Sequence, residues 1–336
     1  MVWRHRYTAD FAAYRTCPAP VRRRAGGQIE FLGAGWRGYS AFRFGGIREM
    51  STKASSYVED GTMTLKELVR AHWEAEPCGT RFGDAEDRLE FFNGISRMRY
   101  EVEPYIAGFA GFEKFTGKSV LEIGVGAGSD FENWVKNGSD AVGIDFTTAA
   151  IDLTKERLLL KGYAENQFTL KVGDAENLDF DDNSFDLVYA YGVIHHTPDT
   201  EKCVREILRV LKRGGVAKIM VYSAFSVTGM LLWIRYALLT GRPLQSQRAV
   251  IYKYLESPGT KSFSPAEFKD ILERYGFEKI YIRKQLSVGD LLDMRRSKKY
   301  DALFYRIIWK MYPRRLIKLL GNGFGLFLLC EARKPT

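Results

Sequence analysis

Three glycines at alternate positions follow a short apolar stretch and are suited to bring the backbone close to a ligand. Residues 120–128 read VLEIGVGAG, so Gly124, Gly126 and Gly128 lie where a predicted strand passes into a predicted helix. Glycines at such a turn let backbone amides approach a ligand and leave the first N–H groups of the helix free. A dinucleotide-binding fingerprint requires glycine at its sixth position, but Ser129 stands there. The loop therefore predicts a ligand site without predicting a dinucleotide.

Three acidic residues lie near the ends of three successive predicted strands. Glu122 precedes the first glycine by two residues, and Asp145 and Asp174 close the next two strands. A carboxylate beside the glycine loop would repel a pyrophosphate but suits a cationic ammonium group. Asp145 is placed to accept hydrogen bonds from ribose hydroxyls, and Asp174 to accept one from the exocyclic amine of adenine. The three acids together predict a nucleoside with a positively charged tail and no phosphate, which is S-adenosylmethionine.

The elements that must position these residues follow a strand–helix alternation from about residue 117. Such an alternation predicts an α/β fold with a doubly wound, mostly parallel sheet. Two helices are predicted before it, at 64–74 and 87–109, and Lys212–Gly215 is expected to end a helix with basic residues and a glycine cap. The predicted strands are 119–123, 141–145, 168–172, 185–189, 217–222, 277–285 and 324–333.

Residues 117–222, about a third of the chain, resemble class I S-adenosylmethionine-dependent methyltransferases, especially the ubiquinone/menaquinone-type, or type 11, group. The similarity rests on VLEIGVGAG at 120–128, VGID at 142–145, GDAENLDFDDNSFDLVYAYGVIHH at 173–196 and EILRVLKRGG at 206–215. It implies a Rossmann-like sheet of seven strands whose last strand is antiparallel, with S-adenosylmethionine as the cofactor. The resemblance implies that the methionine and ribose portion of the cofactor is lined by Glu122, Gly124, Gly126 and Gly128, and that Asp145 binds the ribose hydroxyls. It also implies that the adenine is contacted by Phe146, Asp174 and Ala175, and that Tyr191 borders the sulfonium.

Two adjacent histidines, His195 and His196, follow the fourth strand of the sheet, on the side where an acceptor would bind. Histidine accepts protons readily near neutral pH, so His196, and less so His195, is a candidate general base. The alternative is that the histidines support the loop structurally. Without a third ligand at suitable spacing they make a poor metal site, and no metal is predicted. The aspartates at 179, 181, 182 and 186 are interpreted as turn formers and a strand cap.

The acceptor must be contacted by elements outside the sheet. We expect a helical cap built from residues 51–116 and from insertions at about 224–264 and 289–321 in a methyltransferase domain spanning 117–336. Aromatic residues of the first insertion either wall an apolar pocket for a small-molecule acceptor or pack a helical layer. The expected reaction is O-, C- or N-methylation. The alternatives are a lipid-like quinone acceptor at a membrane face and a non-catalytic S-adenosylmethionine-binding regulator. A nucleic-acid acceptor is disfavoured because the signature that holds a flipped base is missing after the fourth strand.

Residues 295–318 carry nine basic side chains against one acid, Asp301, with apolar residues on one helical face. One interpretation is a basic amphipathic helix that contacts an anionic membrane surface. The other is a lid helix whose apolar face docks on the core. No apolar run approaches the roughly 20 residues of a membrane-spanning helix.

Residues 1–50 differ in composition from the rest of the 336-residue chain. They hold nine arginines, no lysine and three acids, which accounts for +6 of the net charge of +9. Three interpretations stay open: a mis-assigned start with the protein beginning at Met50, an organelle transit segment, or a flexible tail that contacts anionic surfaces. All three predict disorder. Four scattered cysteines without a CxxC pair favour a reducing compartment, and a cytoplasmic location is expected.

Overall fold

The computed structural model of the chain describes residues 63–80, 83, 85–293 and 310–336, together with two short strands nearer the N-terminus. The chain divides into two units, Met1–Ile47 and Arg48–Thr336. In the first unit, strands β1 (Val21–Arg23) and β2 (Ile29–Phe31) pair antiparallel. The expectations for residues 1–50 otherwise fall outside the described residues and stay predictions.

One seven-stranded sheet forms the centre of the second unit. The strands lie in the order β5-β4-β3-β6-β7-β9-β8, and six run parallel while β9 is antiparallel to both of its neighbours. The central strands are mostly buried and largely apolar because helices cover both faces of the sheet. The predicted fold class is confirmed. The strands are β3 (Ser119–Ile123), β4 (Asp140–Asp145), β5 (Phe168–Val172), β6 (Phe185–Tyr191), β7 (Leu211–Tyr222), β8 (Glu278–Gln285) and β9 (Phe327–Arg333).

Helices flank the sheet and form an additional layer beside it. Several begin at side-chain caps; Thr64, for example, caps the first helix together with Glu67. The helices are α1 (Leu65–Ala75), α2 (Arg88–Val102), α3 (Tyr105–Ala110), α4 (Ser129–Lys136), α5 (Thr148–Leu160), α6 (Thr200–Val210), α7 (Val227–Tyr236), α8 (Gln247–Tyr254), α9 (Pro265–Arg274), α10 (Val288–Leu291) and α11 (Arg314–Leu320).

Two predicted elements have different boundaries in the structure. The helix predicted at 87–109 is broken between α2 and α3 at Glu103 and Pro104, because proline disfavours a helical conformation in the residue before it. Residues Lys212–Gly215 do not end a helix: α6 stops at Val210, and buried Leu211 already pairs with Phe185 in the sheet. The register then shifts, so that Val216 pairs with Leu187 and the intervening residues form an irregularity in β7.

The helices of the two insertions are short. α7 ends at Tyr236, and a 3₁₀ turn at Leu238–Thr240 follows it. Of the single helix expected at 295–318, residues 295–309 lie outside the described part of the chain. α11 starts only after Pro313, so the helix is not continuous through that residue. None of the helices in the described ranges is both long and apolar enough to cross a bilayer.

Buried Arg157 connects α2, the glycine loop, α4 and α5. Its side chain is 0% exposed. The guanidinium donates to Glu132 at 2.7 Å, to the Ala127 carbonyl at 3.0 Å and to Ser129 at 3.2 Å, and it also bonds Ser96. Since each donor finds an acceptor inside the protein, removal of the side chain would leave several polar groups buried without partners.

We expect Arg157→Met to lower the free energy of unfolding by about 3 kcal/mol, as is usual when one partner of a buried ion pair is removed. Arg97→Met is the matched control, because Arg97 pairs with Glu90 at 2.9 Å on the surface, and such pairs contribute less than about 1 kcal/mol. Urea denaturation measures both. Equal losses in the two variants would contradict the structural role of Arg157.

Candidate functional site

The glycine loop lies where the sequence predicts it, between β3 and α4. Gly124, Gly126 and Gly128 all have positive φ, at 78°, 53° and 74°. A Cβ at Gly124 would lie 2.3 Å from a Val193 methyl, and one at Gly126 would lie 3.0 Å from the Cys78 carbonyl oxygen. That carbonyl accepts a hydrogen bond from the Ala127 amide at 3.0 Å. Side chains larger than hydrogen are therefore excluded from the loop by its contacts as well as by its conformation.

Asp145 and Asp174 lie at the carboxyl ends of neighbouring strands. Asp145 accepts hydrogen bonds from the Gly126 amide at 3.1 Å and from Thr147, and burial raises the pKa of its carboxyl. Asp174 is more exposed and accepts from Lys66 of α1 at 2.6 Å. Lys66 also bonds Glu176 at 2.7 Å, and although burial alone would lower its pKa, these two carboxylates raise it.

Helix α1 lies over this end of the sheet. Its Lys66 and Arg70 place their charged groups 5.8 Å and 5.3 Å from the centre of the Phe146 ring. Glu74 accepts hydrogen bonds from the first backbone amides of α5, at Thr148 and Ala149. Ala175 is buried beside Asp174. The predicted adenine-contacting residues are thus together, and α1 covers them.

Glu122 is buried beneath the glycine loop and accepts a hydrogen bond from the Trp134 indole at 2.8 Å. Burial raises the pKa of the Glu122 carboxyl well above its usual range, and the nearby Asp130 carboxylate adds to the effect. Asp130 itself accepts from Arg99 at 2.9 and 2.5 Å and from the hydroxyls of Tyr100 and Tyr189. Burial would raise the pKa of Asp130, but Arg99 and these hydrogen bonds hold it below its usual value.

A second polar cluster occupies the carboxyl ends of β6 and β7. The Tyr222 hydroxyl donates to Glu256 at 2.7 Å, and the Glu256 carboxylate lies 3.4 Å from Nε2 of buried His196. Nδ1 of His196 lies 2.8 Å from the Ser257 hydroxyl and 3.1 Å from that of Thr260. Among the described residues, Nε2 has no hydrogen-bond partner.

Aromatic side chains surround this cluster. Tyr222 packs parallel to Phe327 with ring centres 5.8 Å apart, and the Trp73 ring of α1 lies 5.3 Å from His196. Tyr191 bonds the Tyr105 hydroxyl at 3.1 Å and lies 3.4 Å from Glu103, whose pKa is raised by burial. Trp73 and Phe327 thus pack against the polar cluster, and Tyr191 packs behind Phe327.

The two histidines differ in their surroundings. His195 is fully buried, with its ring 4.1 Å from that of Tyr222 and 4.2 Å from that of His196. Burial, and then the neighbouring His196 and Lys261, lower its pKa well below the usual value.

Asp186 accepts from the Ser119 amide and Lys212, which agrees with its interpretation as a strand cap. In the described ranges, no group of three His, Cys, Asp or Glu side chains is arranged to hold a metal ion.

Sequence reasoning missed the partners that come from distant segments. Lys66, Arg99 and Glu256 are separated from their partners by 108, 31 and 60 residues along the chain, and none belongs to a recognisable motif. A local signal exists for only one of them. Ser257-Pro258-Gly259 after Glu256 marks a turn that returns the chain toward the sheet.

Comparison with known proteins identifies the family. Residues 121–219 match the model of a methyltransferase domain. The chain is 25% identical over 178 residues to demethylmenaquinone methyltransferase of Thermobifida fusca, which covers 52% of this chain and 75% of that protein. Residues 121–219 are therefore a class I S-adenosylmethionine-dependent methyltransferase domain similar to the type 11 group. S-adenosylmethionine is its cofactor.

Other relatives of this methyltransferase are matched over smaller parts of their length. Sterol 24-C-methyltransferase of Aspergillus fumigatus is 31% identical over 172 residues, which are 49% of this chain and 43% of that protein. Phosphoethanolamine N-methyltransferase 2 of Haemonchus contortus, solved in complex with S-adenosyl-L-methionine, has a TM-score of 0.53 at 18% identity. That match covers 82% of this chain and 60% of the other, and shows a shared fold.

The side chains at the carboxyl ends of β3, β4 and β5 fit the chemistry of the cofactor. Asp145 and Asp174 offer carboxylate oxygens to hydroxyl and amine donors, and the glycines leave room for a ligand against the backbone. Burial raises the pKa of the Glu122 carboxyl, and an approaching ammonium group would favour its ionised form. Lys66 must release Asp174 if the adenine amine is to bind there.

We expect Asp174→Ala to weaken S-adenosylhomocysteine binding by about tenfold or more, because a hydrogen bond to a carboxylate contributes about 1.5–3 kcal/mol. Calorimetry measures the affinity, and thermal unfolding checks that the fold is retained. Asp179→Ala, at an exposed position five residues away, is the matched control. Unchanged affinity in the Asp174 variant would remove this residue from the cofactor site.

Glu122→Gln tests the buried carboxyl independently of ligand. The folded protein holds the Glu122 proton more tightly than the unfolded chain, so stability falls as pH rises above the unfolded carboxyl pKa of about 4.3. Glutamine keeps an acceptor for Trp134 and carries no charge. We expect the variant to be more stable than the original protein by about 1 kcal/mol at about pH 8, with the difference disappearing toward about pH 4.

Urea denaturation at several pH values measures this difference. Exposed Glu113→Gln is the control for loss of a surface carboxylate. A constant difference between Glu122→Gln and the original protein across the pH range would contradict the raised pKa.

Proposed function

We propose that this methyltransferase acts on an apolar small molecule and that His196 removes a proton from the acceptor as the methyl group is transferred. One observation carries the proposal: Nε2 of His196 is buried and, within the described ranges, lacks a hydrogen-bond partner. A buried polar nitrogen without a hydrogen-bond partner destabilises the folded protein, unless a bound ligand or a proton provides the missing interaction. His196 lies at the carboxyl ends of β6 and β7. Strand β6 is the neighbour of β3, the strand that leads into the glycine loop.

The hydrogen bonds around His196 favour the tautomer that a base needs. The Thr260 hydroxyl donates its hydrogen to the Ser257 carbonyl at 2.7 Å, so toward Nδ1 of His196 it acts as an acceptor. In the tautomer with the proton on Nδ1, the Thr260 hydroxyl accepts it, the Ser257 hydroxyl at 2.8 Å can also do so, and Nε2 keeps its lone pair. When Nε2 takes up a proton, the Glu256 carboxylate 3.4 Å away stabilises the imidazolium. Glu256 therefore acts as a positioning and charge-stabilising residue.

The surroundings of this base favour an apolar acceptor. Trp73, Tyr191, Tyr222 and Phe327 supply flat aromatic surfaces around a small number of polar atoms, as is typical of sites for apolar ligands. Two relatives are named for a quinone and a sterol, both apolar molecules. We infer an acceptor of this class that bears a hydroxyl or an acidic carbon, since those groups lose a proton when they are methylated.

The reaction needs few groups from the protein. When bound, S-adenosylmethionine supplies an electrophilic methyl group on a sulfonium. The chain aligns the acceptor, excludes water through the α1 layer and the aromatic wall, and receives the acceptor's proton at Nε2 of His196. Tyr222 holds the Glu256 carboxylate in place through its 2.7 Å hydrogen bond. The products are the methylated acceptor and S-adenosylhomocysteine.

The acceptor class is tested with radiolabelled S-adenosylmethionine and a panel of demethylmenaquinone, a sterol and phosphoethanolamine. We expect label to enter an apolar member of the panel and not phosphoethanolamine. Transfer to phosphoethanolamine alone would contradict the proposed acceptor class.

With the acceptor found in this way, His196→Gln should lower kcat by about 10²-fold or more, the usual contribution of general-base catalysis. Glu256→Gln should lower kcat less, and neither change should alter the affinity for S-adenosylhomocysteine. His195→Gln is the comparison, since His195 is expected to support the loop. A kcat of His196→Gln equal to that of the original protein would exclude His196 as the base.

A further inference from the structure

Part of each insertion lacks acidic residues, and in the second case the acid-free stretch continues into β9. Residues 224–255 contain Arg235, Arg242, Arg248 and Lys253 and no acid, and residues 310–330 contain Lys310, Arg314, Arg315 and Lys318 and no acid. Together they carry eight positive charges, although the chain as a whole is only at +9. Residues 1–50 carry +6 of this charge, so the residues outside both the leader and the two segments have a net charge of −5, and the positive charge of the second unit is concentrated in the two segments.

The same two segments expose most of the large apolar side chains. Of the fifteen in the described residues that are exposed, ten lie between residues 225 and 244 or between 311 and 324. Leu239 is 76% exposed, Leu244 is 100% exposed and Leu319 is 83% exposed. Large apolar surfaces rimmed by polar residues are typical of interaction sites in soluble domains. The ten residues, here called the cap face, are Phe225, Met230, Leu238, Leu239, Leu244, Met311, Leu316, Leu319, Leu320 and Phe324.

Buried Asp290 joins the two segments into one body. Its side chain accepts from Thr228 at the start of α7 and from the Leu326 amide before β9, each at 2.8 Å. The Tyr312 hydroxyl, just before α11, donates to the Asp290 carbonyl at 2.7 Å. Val227 of α7 and Ile317 of α11 belong to one buried apolar cluster. The inward sides of α7 and α11 are therefore packed. Four residues of the cap face lie on the exposed sides of these helices, and the other six lie in the segments that flank them.

We propose that the cap face binds an anionic phospholipid membrane. Isolated leucines on short helices and on the 241–246 loop are suited to enter the boundary between headgroups and acyl chains, while exposed Arg242, Arg315 and Lys318 contact lipid phosphates. Lysine and arginine stems also reach along an apolar surface while keeping their charges in the headgroup layer. The two segments themselves contain no acid. Exposed Glu267, from α9 outside them, pairs with Arg248 at 2.7 Å, so the positive charge offered to lipid comes from Arg242, Arg315 and Lys318.

Membrane binding would serve the proposed function, and its role in delivering the acceptor rests on that function. The segment that carries Leu239 and Leu244 leads through α8 directly to Glu256, which contacts Tyr222 and His196. A membrane at the cap face would thus lie against the insertion that builds one wall of the proposed acceptor site. An apolar acceptor dissolved in the bilayer would then reach this insertion without crossing water.

Vesicle sedimentation of the full chain tests the proposal. We expect binding to phosphatidylcholine vesicles that contain phosphatidylglycerol, and much weaker binding to phosphatidylcholine alone. Leu239→Ser with Leu319→Ser, and separately Arg315→Glu with Lys318→Glu, should each weaken binding by at least about tenfold. Leu160→Ser, a partly exposed leucine of α5 away from the cap face, is the matched control and should bind as the original protein does.

Two further measurements keep the outcomes distinct. Calorimetry with S-adenosylhomocysteine should give the same affinity in every variant, which shows that the variants fold. The vesicle result does not depend on His196, so a negative result in the His196 test would leave it unchanged. Analytical ultracentrifugation measures self-association. The proposal is overturned if the chain does not bind anionic vesicles, if the cap-face variants bind like the control, or if the face instead joins two copies that the variants separate.

Discussion

The buried ion pair between Asp130 and Arg99 is the interaction on which the rest of the site depends. Asp130 lies in the first turn of α4, directly after the glycine loop, and Arg99 comes from α2, outside the sheet. The carboxylate also accepts from Tyr100 of α2 and Tyr189 of β6. A buried charge is tolerated only when it is paired and hydrogen-bonded, so these four side chains must stay together. Their contacts hold the helical layer against the loop.

This pair also sets the electrostatics of the neighbouring carboxylates. The negative charge of Asp130 adds to burial in raising the pKa of Glu122, whereas Arg99 opposes it. Asp145 and Asp174 have different partners, a backbone amide and Lys66. The three acids therefore differ in hydrogen-bond partners and accessibility although they lie at the ends of adjacent strands. The half of the site at β6 and β7 is instead organised by Tyr222, Glu256 and His196.

Much of the sheet could be predicted from the sequence because its signals are local. Apolar runs, glycine turns and the spacing of Glu122, Asp145 and Asp174 place the strands and their carboxyl ends. The break at Pro104 carried a local signal that the predicted helix ignored. The start of β7 at Leu211 carried no local signal. The glycine pair that follows it indicated a helix end, but Leu211 is buried and pairs with Phe185 in the sheet.

Contacts between distant segments could not be predicted in the same way. Lys66 on Asp174, and Glu256 beside His196, result from how the cap packs on the sheet. The charge of residues 295–318 pointed to a single amphipathic helix, but Pro313 divides its described part. The exposed leucines of 238–244 were hidden because exposure depends on which neighbours pack against a helix.

The central claim is that the cofactor lies along the carboxyl ends of β3, β4 and β5 beneath α1. A crystal structure of the protein with S-adenosylhomocysteine tests it most directly. We expect the adenine amine on Asp174, the ribose hydroxyls on Asp145, and Lys66 displaced from the Asp174 carboxylate. A complex in which the ligand lies elsewhere and the Lys66–Asp174 bond stays intact would contradict the account.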